Sequence, residues 1–279
     1  MRNSTTIRLA AILFGLAGLW LAFTQQQPQP LTVTKIADDL HVIVGSGGNV
    51  GVYVTDEGVI LVDDKFEQNV AEIAAKVKSI TDKPIRYILN THLHGDHTGG
   101  NARFLAAGAE IVAHENAART MDERKMPGVP RLSFSQRFAV KLGGKRVEAR
   151  HYGRGHTNTD AFMYFPDRKV VHTGDMFVSS APFIDYSSGG SGVDWTRSID
   201  RAMELDFDTV IPGHGNIMKR EDLLKWKQNF EQMRLQISNL KKQGKSKDEA
   251  AQLAKIDSFF ASPGMFVQRS YGGLWDELK

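Results

Sequence analysis

Three histidines and an aspartate fall within six residues, His92-Leu93-His94-Gly95-Asp96-His97, directly after the apolar run Ile85–Leu89. That density leaves little room for a purely structural account, because clustered imidazoles need partners whether they are buried or charged. His92 and His94 are two residues apart, so an extended backbone puts them on one side, where they can grip a single ion. Asp96 and His97 lie further round a turn that Gly95, Gly99 and Gly100 permit, aimed at a neighbouring position. The chain contains no cysteine, which excludes a disulfide framework, a thiolate metal site and a thiol nucleophile. Any metal is therefore held by histidine and carboxylate. The fold must deliver a strand end into a tight, ligand-bearing turn.

Three further candidates share that placement. His156 sits in Gly153-Arg154-Gly155-His156-Thr157, Asp175 follows the run Lys169–His172, and His214 follows Val210-Ile211 within Pro212-Gly213-His214-Gly215. Each alone reads as a turn or capping residue. Together they stand at or just beyond strand ends, where ligands from distant segments of a sheet protein converge.

The set His92-x-His94-x-Asp96-His97 with His156, Asp175 and His214 resembles the metallo-beta-lactamase fold superfamily, over about Leu31 to Met218. The approach Gly58-Val59-Ile60-Leu61-Val62-Asp63 is similar to that family's strand ending in a buried aspartate. The resemblance implies an α+β chain folded as an αββα sandwich with two zinc ions at one edge of the sheets. His92, His94 and His156 would hold the first zinc, Asp96, His97 and His214 the second, and Asp175 would bridge both. Asp96 would also orient the bridging hydroxide and take its proton. Asp63 would orient the His92–His97 loop, although it also suits a plain turn before Asp64-Lys65. The other histidines, His41, His114, His151 and His172, read as structural or surface residues, with His151 nearest the mouth.

The chemistry implied is hydrolysis of a small carbonyl substrate such as a lactone, thioester or β-lactam. Asp175 stands where β-lactamases of the superfamily normally carry cysteine or serine, and where glyoxalase II-like thioesterases and acyl-homoserine lactonases carry aspartate. A mononuclear-iron oxidoreductase of persulfide-dioxygenase type shares the histidine framework and is the alternative enzyme. A non-catalytic zinc-binding protein is the other alternative. The formal charge of +3 is too small to mark a nucleic-acid surface.

Composition and patterning supply the rest. With 41 % hydrophobic and 24 % charged residues, the bulk of the chain is expected to fold. Arg2 and Arg8 precede an apolar run of 15 residues, Leu9–Phe23, shorter than the ~20 needed to span a bilayer. This suits an export signal, either cleaved or kept as an inner-membrane anchor, for a periplasmic or secreted protein. Residues 1–30 are read as signal or anchor plus linker, 31–218 as the metal-binding domain, and 219–279 as a helical extension packed on it. Short β runs are expected at His41–Val44, Val50–Thr55, Val59–Val62 and Glu110–Ala113, and again at Phe138–Val140, Arg146–Ala149 and Ala161–Phe165. Helical spacing covers Phe66–Ile80, Asn101–Ala107, a stretch from Asn116, and Leu223–Leu240, with Gly244 as the stop. Ser246 and Glu249 have capping-box spacing. Met126–Ser135 and Ser179–Asp194 read as substrate-selecting loops. Phe183, Ile184 and Tyr186 would supply apolar contacts, and Trp195 either contacts substrate or packs in the core.

Overall fold

The computed structural model describes residues 30–279, so the apolar run 9–23 and its basic flank lie outside the described residues. The first half of the chain supplies β1 (Thr32–Lys35), β2 (Leu40–Val44), β3 (Val50–Val54), β4 (Val59–Val62), helix α1 (Val70–Ile80) and β5 (Ile85–Leu89). Helices α2 (Gly95–Thr98) and α3 (Asn101–Ala106), strand β6 (Glu110–His114), helix α4 (Glu115–Glu123) and β7 (Leu132–Phe134) follow. These strands form one seven-stranded sheet in chain order. The second sheet has six strands in the order β13-β12-β11-β10-β9-β8. They are β8 (Arg137–Leu142), β9 (Lys145–Arg150), β10 (Phe162–Phe165), β11 (Val170–Gly174), β12 (Thr209–Pro212) and β13 (Met218–Lys219). Helix α5 (Gly192–Ala202) lies between β11 and β12, and α6 (Arg220–Lys242), α7 (Lys247–Leu253), α8 (Gly264–Arg269) and α9 (Tyr271–Glu277) complete the chain.

Period-two alternation sorts the side chains into layers. In the first sheet Val42, Tyr53, Ile60 and Val62 face inward and join Val147, Met163 and Phe165 of the second sheet in one apolar cluster. Their neighbours Ile43, Val52, Val59 and Leu61 face outward onto Val70, Ile73 and Val77, the buried stripe of α1. In the second sheet Phe162, Tyr164 and Val171 face outward onto Trp195 and Ile199 of α5 and Trp226 and Phe230 of α6. The result is helix, sheet, sheet, helix. Burying each Leu- or Phe-sized side chain contributes roughly 1.5–3 kcal/mol, so both faces of both sheets hold the fold together.

Pairing direction then chooses the functional edge. β4 runs parallel to β5, and β11 parallel to β12, so the carboxyl ends of each pair lie side by side. The residues just beyond those ends are Asp63, the His92 turn, Asp175 and His214. Asn49, leading into β3, clamps the two sheets at this edge: its backbone N–H donates to the Gly213 carbonyl at 2.7 Å. Its side-chain amide donates to the Pro212 and Gly215 carbonyls, both at 2.9 Å.

Several expectations need correction. The Phe66–Ile80 helix opens with a 3-10 turn at Glu67–Asn69 and becomes α-helical only at Val70. The Met126–Ser135 loop ends in β7, which pairs with β6 as the sheet's last strand. The Ser179–Asp194 loop contains a 3-10 turn at Tyr186–Ser188, and α5 begins inside it at Gly192. The Ser side chain at 191 caps α5 by accepting from the Asp194 N–H, a signal lost among the surrounding glycines and serines. The Ser246/Glu249 capping box forms as spaced. Among the described residues no helix is long and apolar enough to cross a membrane.

Candidate metal centre

His92 enters the site from the turn after β5, and Thr91 beside it fixes its ring. The Thr91 hydroxyl donates to Asp63 Oδ2 at 2.8 Å, so toward His92 Nδ1, 3.1 Å away, it can only accept. His92 Nδ1 therefore carries the proton and Nε2 presents a lone pair. The same division recurs around the cluster. His94 Nε2 donates to Asp185 Oδ2 at 2.9 Å, His97 Nδ1 to Asp63 Oδ2 at 2.7 Å, and His156 Nδ1 to the Phe183 carbonyl at 2.5 Å. Each of these outer nitrogens has an acceptor, which leaves the inner nitrogen able to serve as a ligand.

The inner atoms gather in two groups, each within 4.8 Å: His92, His94, His156 and Asp175, and separately Asp96, His97 and His214. In the first, His94 Nδ1 lies 3.2 Å from His92 Nε2 and 2.9 Å from His156 Nε2. In the second, His214 Nε2 lies 3.1 Å from Asp96 Oδ2 and 3.4 Å from His97 Nε2. Asp175 joins them. Its Oδ2 is 3.6 Å from His156 Nε2 and 3.9 Å from His92 Nε2, while its Oδ1 is 3.3 Å from His97 Nε2 and 3.4 Å from His214 Nε2.

Three observations test whether a metal fits. Asp175 Oδ1 is buried and has no hydrogen-bond partner among the described residues, despite two imidazoles beside it. Such an orphan is costly unless a cation satisfies it. Space is kept clear for the ligands: a Cβ on Gly213 would stand 2.0 Å from Asp175 Oδ1, and one on Gly48 2.2 Å from His97 Cε1. In the first group protonation also suits ligation. Burial pushes His92 well below the usual imidazole value and His156 down to about 4, keeping both neutral. Burial would raise Asp175, but the charges of His97 and His214 facing it hold it well below the usual carboxylate range. His214 is disfavoured as a cation by burial, yet Asp175 and Asp96 lift it to about 9, a sign of the positive charge this corner demands. The donor set fits a metal.

A family model for the metallo-beta-lactamase superfamily matches residues 43–214. The chain belongs to that superfamily. It is 29 % identical to the 2,4-dinitroanisole O-demethylase subunit alpha of Nocardioides sp. (strain JS1661), over 57 % of this chain and 50 % of that one. It is 27 % identical to the metallo-beta-lactamase type 2 of Bacillus cereus, over 61 % of this chain and 68 % of that protein. The chain thus spans half the length of the demethylase subunit and about two thirds of the Bacillus enzyme. A metallo-beta-lactamase structure from Pontibacter korlensis superposes with a TM-score of 0.63 at 24 % identity, over 70 % of this chain and 95 % of that one. The DIM-1 metallo-beta-lactamase gives 0.64 at 18 %, over 74 % and 99 %. At these identities the structures establish the fold.

Within this superfamily member, the surroundings of the cluster come largely from residues that sequence reasoning missed. Asp185, which holds His94, lies in the loop after β11 and also accepts from the Ser187 and Ser188 N–H groups. Its capping pattern is readable, but its aim at His94 is not. Thr157 and Asp160 lock the His156 loop: the Thr157 N–H and hydroxyl both donate to the Asp160 carboxyl, which burial pushes up to about 7. Asp63, flagged in the sequence, is fully buried and holds His97 and Thr91 together.

A pocket of about 470 Å³ opens over the cluster, with His94, Asp96, Asp175 and His214 in its floor. Phe183 is in its wall, but Ile184 and Tyr186 are not. Ile184 is buried in the core with Trp195, and the Tyr186 hydroxyl donates to Glu277 at 2.9 Å. Trp195 packs rather than contacts the pocket. No residue of 126–135 lines it; Met126 and Val129 pack instead against Leu93 and Met121. His151 stacks on His114 at 3.9 Å and lines a different cavity. His172 is buried, with Nε2 3.0 Å from the Asn49 carbonyl.

Proposed function

We propose that this chain is a di-zinc hydrolase that opens a small carbonyl substrate: a lactone, thioester or β-lactam. The observation that carries the reading is Asp175, whose two oxygens face two separate groups of histidine and carboxylate ligands. His92, His94 and His156 would hold one zinc, Asp96, His97 and His214 the other, and Asp175 both. When bound, such a pair supplies Lewis acidity and a water activated as nucleophile at neutral pH. The chain's own residues do the rest. Asp63, Asp185 and the Phe183 carbonyl fix the rings, so the site is organised before substrate arrives. Against a burial that disfavours its charge, Asp96 is held ionised at about 2 by the His214 hydrogen bond and the His97 charge, so it is present as a carboxylate at the pocket floor, where it would orient the attacking water and take its proton. Phe183 offers an apolar surface beside it.

Asp96, His97 and His214 form a second ligand group that a single-iron oxidoreductase would not require, which favours the two-metal reading. Export, with or without retention of the segment 9–23 as an anchor, belongs to the same proposal and is tested by fractionation.

Elemental analysis combined with a hydrolysis panel tests the activity. Two zinc ions per chain and turnover of at least one lactone, thioester or β-lactam are expected, with turnover abolished by chelator. The panel includes 2,4-dinitroanisole, the compound in the name of the Nocardioides relative. A single iron with no hydrolysis would establish the oxidoreductase instead; two zincs with no turnover would leave a binding protein.

A further inference from the structure

The metal pocket has one wall that the matched span 43–214 does not supply: Ser262, Met265 and Arg269, from α8 and the segment before it. Arg269 is the only lysine or arginine among the described residues lining that pocket. Its side chain is exposed and makes no salt bridge or side-chain hydrogen bond among the described residues, whereas other arginines of the chain are engaged. Arg154, for example, pairs with Asp194, and Arg124 donates to Ser187 and Ser188.

Arg269 is nonetheless carried on a fixed support. The next residue, Ser270, is fully buried, and its hydroxyl accepts from the Ile184 N–H at 2.8 Å. Ile184 adjoins Phe183, whose carbonyl holds His156. Phe266 and Leu274, on either side, are buried in the core cluster shared with α5 and α6. Glu277 of α9 accepts from the Gly192 N–H and the Tyr186 hydroxyl, both at 2.9 Å, fastening the tail to the same loop. The backbone that carries Arg269 is thus fixed beside a pocket whose lining also includes the apolar side chains of Val178, Phe183 and Met265. An unpaired guanidinium there can donate two parallel N–H bonds to a carboxylate, as a two-pronged fork.

We propose that the substrate of this site carries an anionic group, most simply a carboxylate, separated by an apolar spacer from the carbonyl attacked, and that Arg269 selects it. The proposal rests on the hydrolase reading for the position of that carbonyl. It assigns to the carboxyl-terminal helices a recognition role, since the substrate would reach from the ligand-bearing strand ends to α8.

The test compares two esters with the same leaving group, 4-nitrophenyl butyrate and mono-4-nitrophenyl glutarate, on zinc-loaded protein after subtracting spontaneous hydrolysis. We expect wild type to favour the glutarate ester in kcat/KM by about tenfold, the equivalent of about 1.4 kcal/mol. Arg269→Gln should bring the ratio close to one through KM, with zinc content unchanged. Arg269→Lys, a charge without the fork, should give an intermediate ratio. A wild-type ratio near one, a preference that survives in Arg269→Gln, or an equal loss on both esters would overturn the proposal. If wild type hydrolyses neither ester, the hydrolase reading is decided by the lactone, thioester and β-lactam panel, and calorimetry with the amide analogue glutaranilic acid decides this one. About tenfold weaker binding by Arg269→Gln would support it, and equal binding by the two proteins would overturn it.

Discussion

His94 and Asp185 face each other across the mouth of the candidate metal centre, with His94 Nε2 2.9 Å from Asp185 Oδ2, although the two are 91 positions apart in the chain. The contact leaves His94 Nδ1 as the nitrogen that meets His92 and His156. It also ties the ligand turn to the loop that forms the pocket wall. A carboxylate behind a ligating imidazole fixes the ring and raises its basicity.

Asp185→Asn should therefore weaken binding of the ion proposed to sit among His92, His94 and His156 roughly 10–100-fold. Asparagine retains an oxygen to cap the Tyr186–Ser188 turn, so Asp185→Ala should lose both metal affinity and order in that turn. Competition with a chromophoric chelator measures the affinity. Wild-type affinity in the Asn variant would show that the carboxylate charge is irrelevant to His94.

Gly48 provides a steric test. A methyl group there would collide with the His97 ring, which Asp63 holds from behind, so Gly48→Ala should cost roughly 1–3 kcal/mol and reduce metal content. Gly95, in the same ligand turn, has open space around its Cβ direction. Gly95→Ala should leave stability unchanged or raise it by up to about 1 kcal/mol. Denaturant midpoints and metal stoichiometry on the pair separate crowding at His97 from general sensitivity of the site.

Asp96 is proposed both to ligate and to accept a proton. Asp96→Asn keeps one oxygen and the volume but loses the charge, and should lower kcat by roughly 10²–10⁴-fold with a smaller change in KM. Zinc must be measured on the same sample, since a lost ion would imitate the effect. An Asn variant with both zincs and near-normal turnover would make Asp96 a ligand only.

Lys65 gives the metal-free protein a pH signature. Its ammonium is buried, donates to the Gly48 carbonyl at 2.5 Å, and burial lowers it to about 8 from an ordinary 10.5. Between those values the unfolded chain binds more protons at this position than the folded one, so the Lys65 contribution to stability rises with pH across that window, against the fall that His214, lifted to about 9, contributes up to its own value. The rise should reach roughly 3 kcal/mol by its upper end. Lys65→Met should abolish it, as read from denaturant titrations in chelator from about pH 7 to about 10.5. Parallel pH profiles for the two proteins would mean that Lys65 does not titrate there.

The candidate ligand positions were legible in the sequence because most of their signals are local. His92 to His97 follow directly from a strand, and Asp175 and His214 each stand one or two residues past one. Alternation in β2 to β4 and the spacing of Val70, Ile73 and Val77 likewise carry the layers in short windows. Only the parallel pairing of β4 with β5 and of β11 with β12 brought those strand ends to one edge. Local pattern was weakest in 179–194, where glycine and serine mask both the 3-10 turn and the start of α5. Ile184 and Tyr186, apolar residues in a loop by sequence, turn inward because α9 and the core cluster lie beneath them. The tertiary structure alone placed Asp185 behind His94 and brought Arg269 to the pocket. No periodicity encodes a contact between loops, since it depends on which segments the packed layers leave side by side.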